Sequence, residues 1–231
     1  MFEMLNSPEF WIGLAKIIGV NIVLSGDNAV VIALAARSLP VHQQKKAVMW
    51  GAGAAIVMRI ILTLFAVQLL TLPWLKLVGS LLLFWIGVKL LIEEEGGEDI
   101  ESSANLAAAI KTILIADLVM SLDNVIAVAA AAGGSVTLLV LGLAISIPLV
   151  IFGSTLMIKL MERFPIIVVL GAALIGWVGG ETIASDTIFK DFVAANGWVH
   201  YVAAALGAAF VIGLGKMIQA RARARGAHAK T

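Results

Sequence analysis

The sequence predicts an all-α polytopic membrane protein: about seven transmembrane helices, arranged as two inverted-topology three-helix repeats plus a C-terminal seventh helix. Three observations predict it. The composition is too apolar for water, the apolar stretches have bilayer-spanning length, and two internal matches recur at offsets of 92 and 96 residues. Hydrophobic residues make up 61% of the 231-residue chain, with a mean hydropathy of +1.04, against roughly 45–50% apolar in a soluble domain.

Seven apolar stretches lie near 10–36, 46–71, 74–92, 106–132, 136–158, 165–185 and 198–218. A helix rising ~1.5 Å per residue needs about 20 residues to cross a hydrocarbon core of about 30 Å. The first stretch begins near Phe10 without a basic leader, and no small-residue cleavage site ends a short apolar core. It is read as a retained span and not as a signal peptide.

Lys and Arg gather on the cytoplasmic side of short loops. With seven spans, Arg37, Lys45, Lys46, Lys159, Arg163, Lys216, Arg221, Arg223, Arg225 and Lys230 share one side, and Lys76 and Lys190 face the other. The N-terminus is therefore expected outside and the C-terminus in the cytoplasm. The acidic run Glu93, Glu94, Glu95, Glu98, Asp99 and Glu101 then lies in a cytoplasmic loop, where acids weigh little in this rule.

The segment from Ile22 to Ala36, IVLSGDNAVVIALAA, matches Leu118 to Ala132, LVMSLDNVIAVAAAA, at an offset of 96, with Val23/Val119, Ser25/Ser121, Asp27/Asp123 and Asn28/Asn124 identical. A second match, at an offset of 92, pairs Pro73, Gly79, Trp85 and Gly87 with Pro165, Gly171, Trp177 and Gly179. The first span thus corresponds to the fourth and the third to the sixth. An odd number of spans per repeat makes the halves run in opposite directions, the architecture of many secondary transporters, whose sites lie near the midplane. The expected organisation is 1–92 as first repeat, 93–105 as acidic, Gly-containing linker, 106–190 as second repeat, 191–218 as seventh helix and 219–231 as basic cytoplasmic tail. That tail, RARARGAHAK, suits solvation or anionic lipid headgroups and is too short for a nucleic-acid role.

Asp27, Asp117 and Asp123 sit inside apolar spans, Glu181 lies late in the sixth, Arg59 is in the middle of the second, and Lys89 is close enough to its helix end to snorkel. An ionisable group at the bilayer centre costs roughly 2.5–3.5 kcal/mol on the lenient insertion scale, so four unpaired acids would cost on the order of 10 kcal/mol. Pairing with Arg59 and Lys89 is one form of compensation. Four acids against two bases leave two negative charges, which one divalent cation would neutralise.

The surroundings are rich in oxygen: Asn21, Ser25, Asp27 and Asn28 in the first span, and Asp117, Ser121, Asp123 and Asn124 in the fourth, with Asn21 and Asp117 at the same repeat position. On a regular helix Asp27 points about 100° away from Asn28, so the four groups of the first span cannot converge. A break at Ser25–Asn28, helped by Gly26, would add backbone carbonyls. Leu122 replaces Gly26 in the second half, where a weaker break is expected. Carboxylate, carboxamide, hydroxyl and carbonyl oxygens suit Mg²⁺, Ca²⁺ and Mn²⁺. The absence of cysteine removes disulfides and thiolate sites. His42, His200 and His228 read as interfacial residues. Gly176 and Gly180 form a GxxxG pair suited to close packing, within the bundle or across a homo-oligomer.

At LSGDNAVVIALAAR (24–37) and ADLVMSLDNVIAVAAAA (116–132) the chain resembles the TerC family of membrane proteins, especially its YjbE-type bacterial members. The resemblance extends over nearly all of residues 10–215 and, more widely, to the lysine-exporter superfamily of small inverted-repeat carriers. It implies a bacterial plasma (inner) membrane protein associated with Mn²⁺ efflux, some members being named for tellurium resistance. It implies roles for Asp27, Asn28, Asp123 and Asn124 at the cation site, with Asp117 nearby. Longer members carry helices or soluble domains beyond the stretch that the resemblance covers.

The expected function is therefore efflux of a divalent cation, Mn²⁺ before Ca²⁺ or Mg²⁺, by alternating access. No prosthetic group is expected, and the partners are the bilayer, the cation and protons. Buried carboxyls can exchange protons for metal; Asp117 and Glu181 are the candidates. Arg59 reads as an anchor for one acid or an electrostatic gate. An intramembrane hydrolase is disfavoured because GxGD and HExxH patterns are absent, and a retinal protein because Lys216 ends the last span instead of lying at mid-depth. A membrane accessory protein for metal delivery is the remaining alternative.

Overall fold

The structure, a computed structural model, describes residues 8–65, 69, 72, 74–92 and 102–228. Every regular element among them is a helix: α1 (Pro8–Leu24), α2 (Gly26–Arg37), α3 (Val41–Leu64), α4 (Leu75–Ile92), α5 (Ser102–Ala132), α6 (Val136–Arg163), α7 (Ile166–Ala184), α8 (Lys190–Ala195) and α9 (Trp198–His228). In hydrocarbon each backbone N–H and C=O must be satisfied inside its own segment, which a helix does. By length and composition, α3, α4, α5, α6, α7 and α9 can each cross a membrane. The pair α1–α2, bent by 50° at its junction, makes a seventh span when taken as one.

Several helices outrun their apolar cores. The third helix starts at Val41, α5 starts at Ser102, α6 runs to Arg163, and α9 continues through the basic tail to His228. Hydropathy marks where lipid ends; Ala, Arg, Lys and Gln carry the hydrogen-bonded spiral on into water because they are good helix formers. The short α8, with no buried residue, has no counterpart in the sequence reading. Pro73 of the second internal match, linker residues 93–101 and tail residues 229–231 lie outside the described residues.

Where chain ends would leave carbonyls unpaired, side chains from other helices reach them. Arg37 Nη2 donates to the Leu90 carbonyl at 3.1 Å, and Gln219 Nε2 of α9 donates to the Leu91 carbonyl at 2.8 Å. Gln44 Nε2 donates at 3.1 Å to the carbonyls of both Arg37 and Leu39, closing the end of α2. Gly133 and Gly134, with φ of +54° and +80°, form the left-handed turn between α5 and α6 that side chains disfavour. Ser135 then caps α6 by accepting from the Leu138 N–H at 3.3 Å.

Packing is reciprocal between the halves. The bent pair α1–α2 rests mainly on α6, α3 rests mainly on α5, and α4 faces α7. With α1–α2 matched to α5, α3 to α6 and α4 to α7, the first contact is the image of the second, and the third is its own image. The core between them is aliphatic, with Leu34, Leu83, Ile86, Ile113 and Ile175 among its fully buried side chains.

The GxxxG pair of α7 packs inside the chain, against α9. A Cβ on Gly180 would lie 2.1 Å from the Ala203 carbonyl oxygen, and one on Gly176 2.5 Å from that of Gly207. Only hydrogen fits at these two positions, and this lets the two backbones touch.

Candidate functional site

Four side chains from the first and fourth spans grip one arginine. Arg59 of α3, 3% exposed, donates through Nη1 to Asn21 Oδ1 at 2.7 Å and Ser25 Oγ at 3.2 Å, through Nε to Ser121 Oγ at 3.1 Å and through Nη2 to Asp117 Oδ1 at 2.6 Å. Ser25 donates on to Asn21 Oδ1 at 3.3 Å, and Ser121 to Asp117 Oδ2 at 3.2 Å. Asn21/Ser25 and Asp117/Ser121 are the same two positions of the two repeats. Their spacing of four puts each pair on one helix face, and the guanidinium fork spans both faces. Arg59 is thus an anchor in this structure. The Asp117 carboxylate, 5% exposed, is committed to it and not to an open cation site.

The first span breaks at Ser25, whose φ of −107° and ψ of 0° interrupt the helix between α1 and α2. Gly26 does not force the break: its φ is not in the left-handed region, and a Cβ there would meet open space. Side-chain bonds to the backbone accompany the break but are not sufficient for it, since α5 carries the same Ser, Asp and Asn without one. The Asn28 N–H bonds Asp27 Oδ1 at 2.8 Å, while the Leu24 carbonyl accepts from Asn28 Nδ2 at 3.4 Å. The same carbonyl accepts from Asn124 Nδ2 of α5 at 3.5 Å. Two repeat-related asparagines thus converge on one carbonyl released by the break. The corresponding stretch of α5 stays helical through Ser121–Asn124; the weaker break expected there is absent, and Leu122 in place of Gly26 is the difference in sequence between the two motifs.

Asp27 stands in the first turn of α2, where the partial positive charge of a helix N-terminus favours a carboxylate. It is half-buried, and no base is paired with it among the described residues. Asn28 is 3% exposed, and its Oδ1 has no hydrogen-bond partner. A buried oxygen in that condition costs of order 1–3 kcal/mol, and a cation would satisfy it.

Asp123 points elsewhere. Its carboxylate pairs with the Lys76 ammonium of α4, and the Ser185 hydroxyl, just past α7, donates to its Oδ2 at 3.3 Å. Lys76 also donates to the Ser185 carbonyl at 3.2 Å. Beside them the buried Asp186 caps the start of α4: its Oδ2 accepts from the Leu77 N–H at 3.1 Å, and its Oδ1 from the Ile188 N–H at 3.1 Å. Burial pushes the Asp186 carboxyl up, but hydrogen bonds from the Ile188, Leu77 and Trp74 backbones and the Thr187 hydroxyl outweigh it and hold it below the ordinary carboxylate range.

The remaining candidates lie apart from the break. Glu181 Oε1 is 3.6 Å from His200 Nε2 of α9, so His200 has a carboxylate neighbour that its reading as a bland interfacial residue did not foresee. Lys89 Nζ sits 5.5 Å from the centre of the Trp85 ring. Among the described residues no three His, Asp or Glu side chains form a ready metal cluster.

Sequence reasoning missed Lys76 and Ser185 as partners of Asp123. Lys76 reads as a charge of the outer loop, but it opens a helix whose first turn faces α5. The available signal was depth: in antiparallel neighbours a base at the N-terminal end of the third span and an acid in the C-terminal half of the fourth lie at similar levels.

The profile of the integral membrane protein TerC family matches residues 6–223. The membrane protein YjbE of Bacillus subtilis (strain 168) is 44% identical over 204 residues, covering 88% of this chain and 94% of its own length. YkoY of the same organism is 26% identical over 212 residues, 82% of this chain and 65% of its own length. The inner membrane protein YoaE of Escherichia coli (strain K12) is 26% identical over 230 residues, 91% of this chain and 43% of that longer protein. No solved structure gives a significant match.

Proposed function

Because this chain belongs to the TerC family of integral membrane proteins, we propose that it carries a hard divalent cation, Mn²⁺ first, across the membrane by alternating access. The observation that carries the reading is the broken first span. There Asn28 and Asn124, one from each half, meet at the Leu24 carbonyl beside Asp27, an acid with no base paired to it among the described residues. A carboxylate, two carboxamides and a freed carbonyl are hard oxygen donors of the kind Mn²⁺ takes. Irregular backbone at membrane depth is tolerated where it lines a cavity or is buried in protein, and broken helices near the midplane are how inverted-repeat carriers build ion sites.

The reciprocal packing of the two halves supports a rocking motion between them, in which each half in turn opens its own side. Arg59, tied to both halves, would be the pivot, and Glu181 beside His200 the remaining candidate to carry a proton in exchange. The distribution of basic residues supports a cytoplasmic C-terminus, and similarity to YoaE, an inner membrane protein, supports the inner membrane as location. Export as the direction, and a carrier in place of an enzyme, belong to the same proposal.

The test is Mn²⁺ flux into proteoliposomes containing this chain alone. Wild type should carry Mn²⁺, and Asp27→Asn should abolish flux while remaining folded and membrane-inserted. Full flux from Asp27→Asn would remove Asp27 from the site. No divalent flux from the wild type would leave a metal-delivery accessory protein as the better reading.

A further inference from the structure

We propose that Lys76 is a tethered cation that occupies the place of the transported ion on Asp123 and leaves when that ion arrives; this rests on the divalent-cation reading above. Asp123 is the repeat mate of Asp27, yet the two aspartates are treated differently. Among the described residues Asp27 has no paired base, whereas Asp123 holds the Lys76 ammonium. The difference is written in the halves themselves. At the offset that relates α4 to α7, the mate of Lys76 is Val168, an aliphatic residue 1% exposed in the core. The first half therefore supplies a counter-ion to the aspartate of the second, and the second supplies none in return.

Among the described residues Arg59 and Lys76 are each paired with an aspartate, and their settings separate their roles. Arg59 is 3% exposed, and three of its nitrogens are bonded to four side chains from both halves, an arrangement with nothing to exchange. The Lys76–Asp123 pair is 15% and 41% exposed and borders a small pocket lined by Leu69, Leu72, Leu122, Asp186 and Thr187. A lysine ammonium is a point charge on a flexible stem with no fixed fork to match, so it can withdraw along the pocket without dismantling a helix contact.

Asp123 is adjacent to Asn124, whose amide reaches the Leu24 carbonyl. An ion seated at the break and drawn onto Asp123 must displace the ammonium, because a divalent cation and an ammonium cannot share one carboxylate without strong repulsion. Releasing Lys76 also frees its bonds to the Ser185 carbonyl and hydroxyl, which tie the start of α4 to the end of α7. Ion arrival on Asp123 would thus be linked to loosening of the α4–α7 contact, the one that is its own image under the repeat.

The test is Mn²⁺ binding to the purified full-length protein, followed by the electron spin resonance of free Mn²⁺. If the latch is open in about 1–10% of molecules, Lys76→Met lowers the apparent Kd by about 10- to 100-fold, Lys76→Arg, whose fork grips a carboxylate harder, does not lower it, and Asp123→Asn removes the gain from Lys76→Met. An unchanged or higher Kd in Lys76→Met, with Asp123→Asn still weakening binding, overturns the latch and leaves the carrier reading standing. No Mn²⁺ binding by the wild type and by Lys76→Met overturns both.

A second arm keeps Lys76 in place. The chain has no cysteine, so Leu122→Cys, in the pocket wall and 5% exposed, is a unique thiol. A membrane-impermeant maleimide should label it several-fold faster when Mn²⁺ is added. A labelling rate indifferent to Mn²⁺, in protein that binds the ion, sinks the latch whatever becomes of Lys76→Met.

Discussion

Asp117→Asn should destabilise the protein more than Arg59→Met, and combining them should recover part of the loss. Arg59 and Asp117 are 3% and 5% exposed and joined at 2.6 Å. Asparagine keeps the shape of Asp117 but removes its charge, and the guanidinium cannot discharge itself. It is left buried among the neutral oxygens of Asn21, Ser25 and Ser121. Breaking a buried pair in this way costs about 3–5 kcal/mol. In Arg59→Met the abandoned carboxyl can take up a proton, and Ser25–Asn21 and Ser121 keep their own hydrogen bonds. The loss is then that of the hydrogen bonds, about 1–3 kcal/mol. The double variant has no buried charge and should resemble Arg59→Met.

For a chain of this size 1 kcal/mol shifts Tm by roughly 2–4 °C. Asp117→Asn should therefore melt about 6–20 °C below wild type, and the double variant well above that single. Thermal unfolding of the purified protein, read by its six tryptophans, measures all three. Strictly additive losses, or an Asp117→Asn protein melting within about 2 °C of wild type, would refute the account of Arg59 as a charge held by Asp117.

Gly180→Ala should lower Tm by several degrees, since its Cβ meets the Ala203 carbonyl oxygen at 2.1 Å and forced overpacking costs about 1–3 kcal/mol; Gly53→Ala, where the same atom meets open space, should not. Gly26→Ala should keep both the bend and Mn²⁺ flux, because no contact or dihedral there demands glycine; loss of flux with a straightened first span would show that the break depends on Gly26. Asp186 is held below the ordinary carboxylate range in the folded protein, so its contribution is present at pH values above its unfolded pKa and lost as pH falls through the lowered folded one. Asp186→Asn should lower Tm at neutral pH and narrow its gap to wild type in acid; a gap that widened in acid would reverse that sign.

Much of the fold follows from the chain alone, because membrane helices are selected by one dominant force. A segment such as Leu75–Ile92 has no alternative in lipid to bonding its own backbone, so its limits can be read from hydropathy nearly to the residue. The helical extension through Arg221, Arg223 and Arg225 could not, since helix propensity in water leaves no hydrophobic trace. The break was legible because Ser25, Asp27 and Asn28 compete locally for backbone hydrogen bonds beside a glycine of low helix propensity, whereas Ser121, Asp123 and Asn124 beside Leu122 stay helical. The internal match stands out because Asp27/Asp123 and Asn28/Asn124 are identities that apolar composition alone would not supply.

The tertiary structure decided how the charges are shared. In the sequence Asp27, Asp117 and Asp123 are three acids inside apolar spans, with no sign of which base each would meet. In space Asp117 is given to Arg59 and Asp123 to Lys76, while Asp27 stands beside the break with no paired base among the described residues. Which acid meets which base depends on the rotation and depth of whole helices, set by contacts such as Gly180 on Ala203 and α3 on α5. An ion pair needs its charged atoms within about 4 Å of each other, and spacing along one chain carries no such distance between helices.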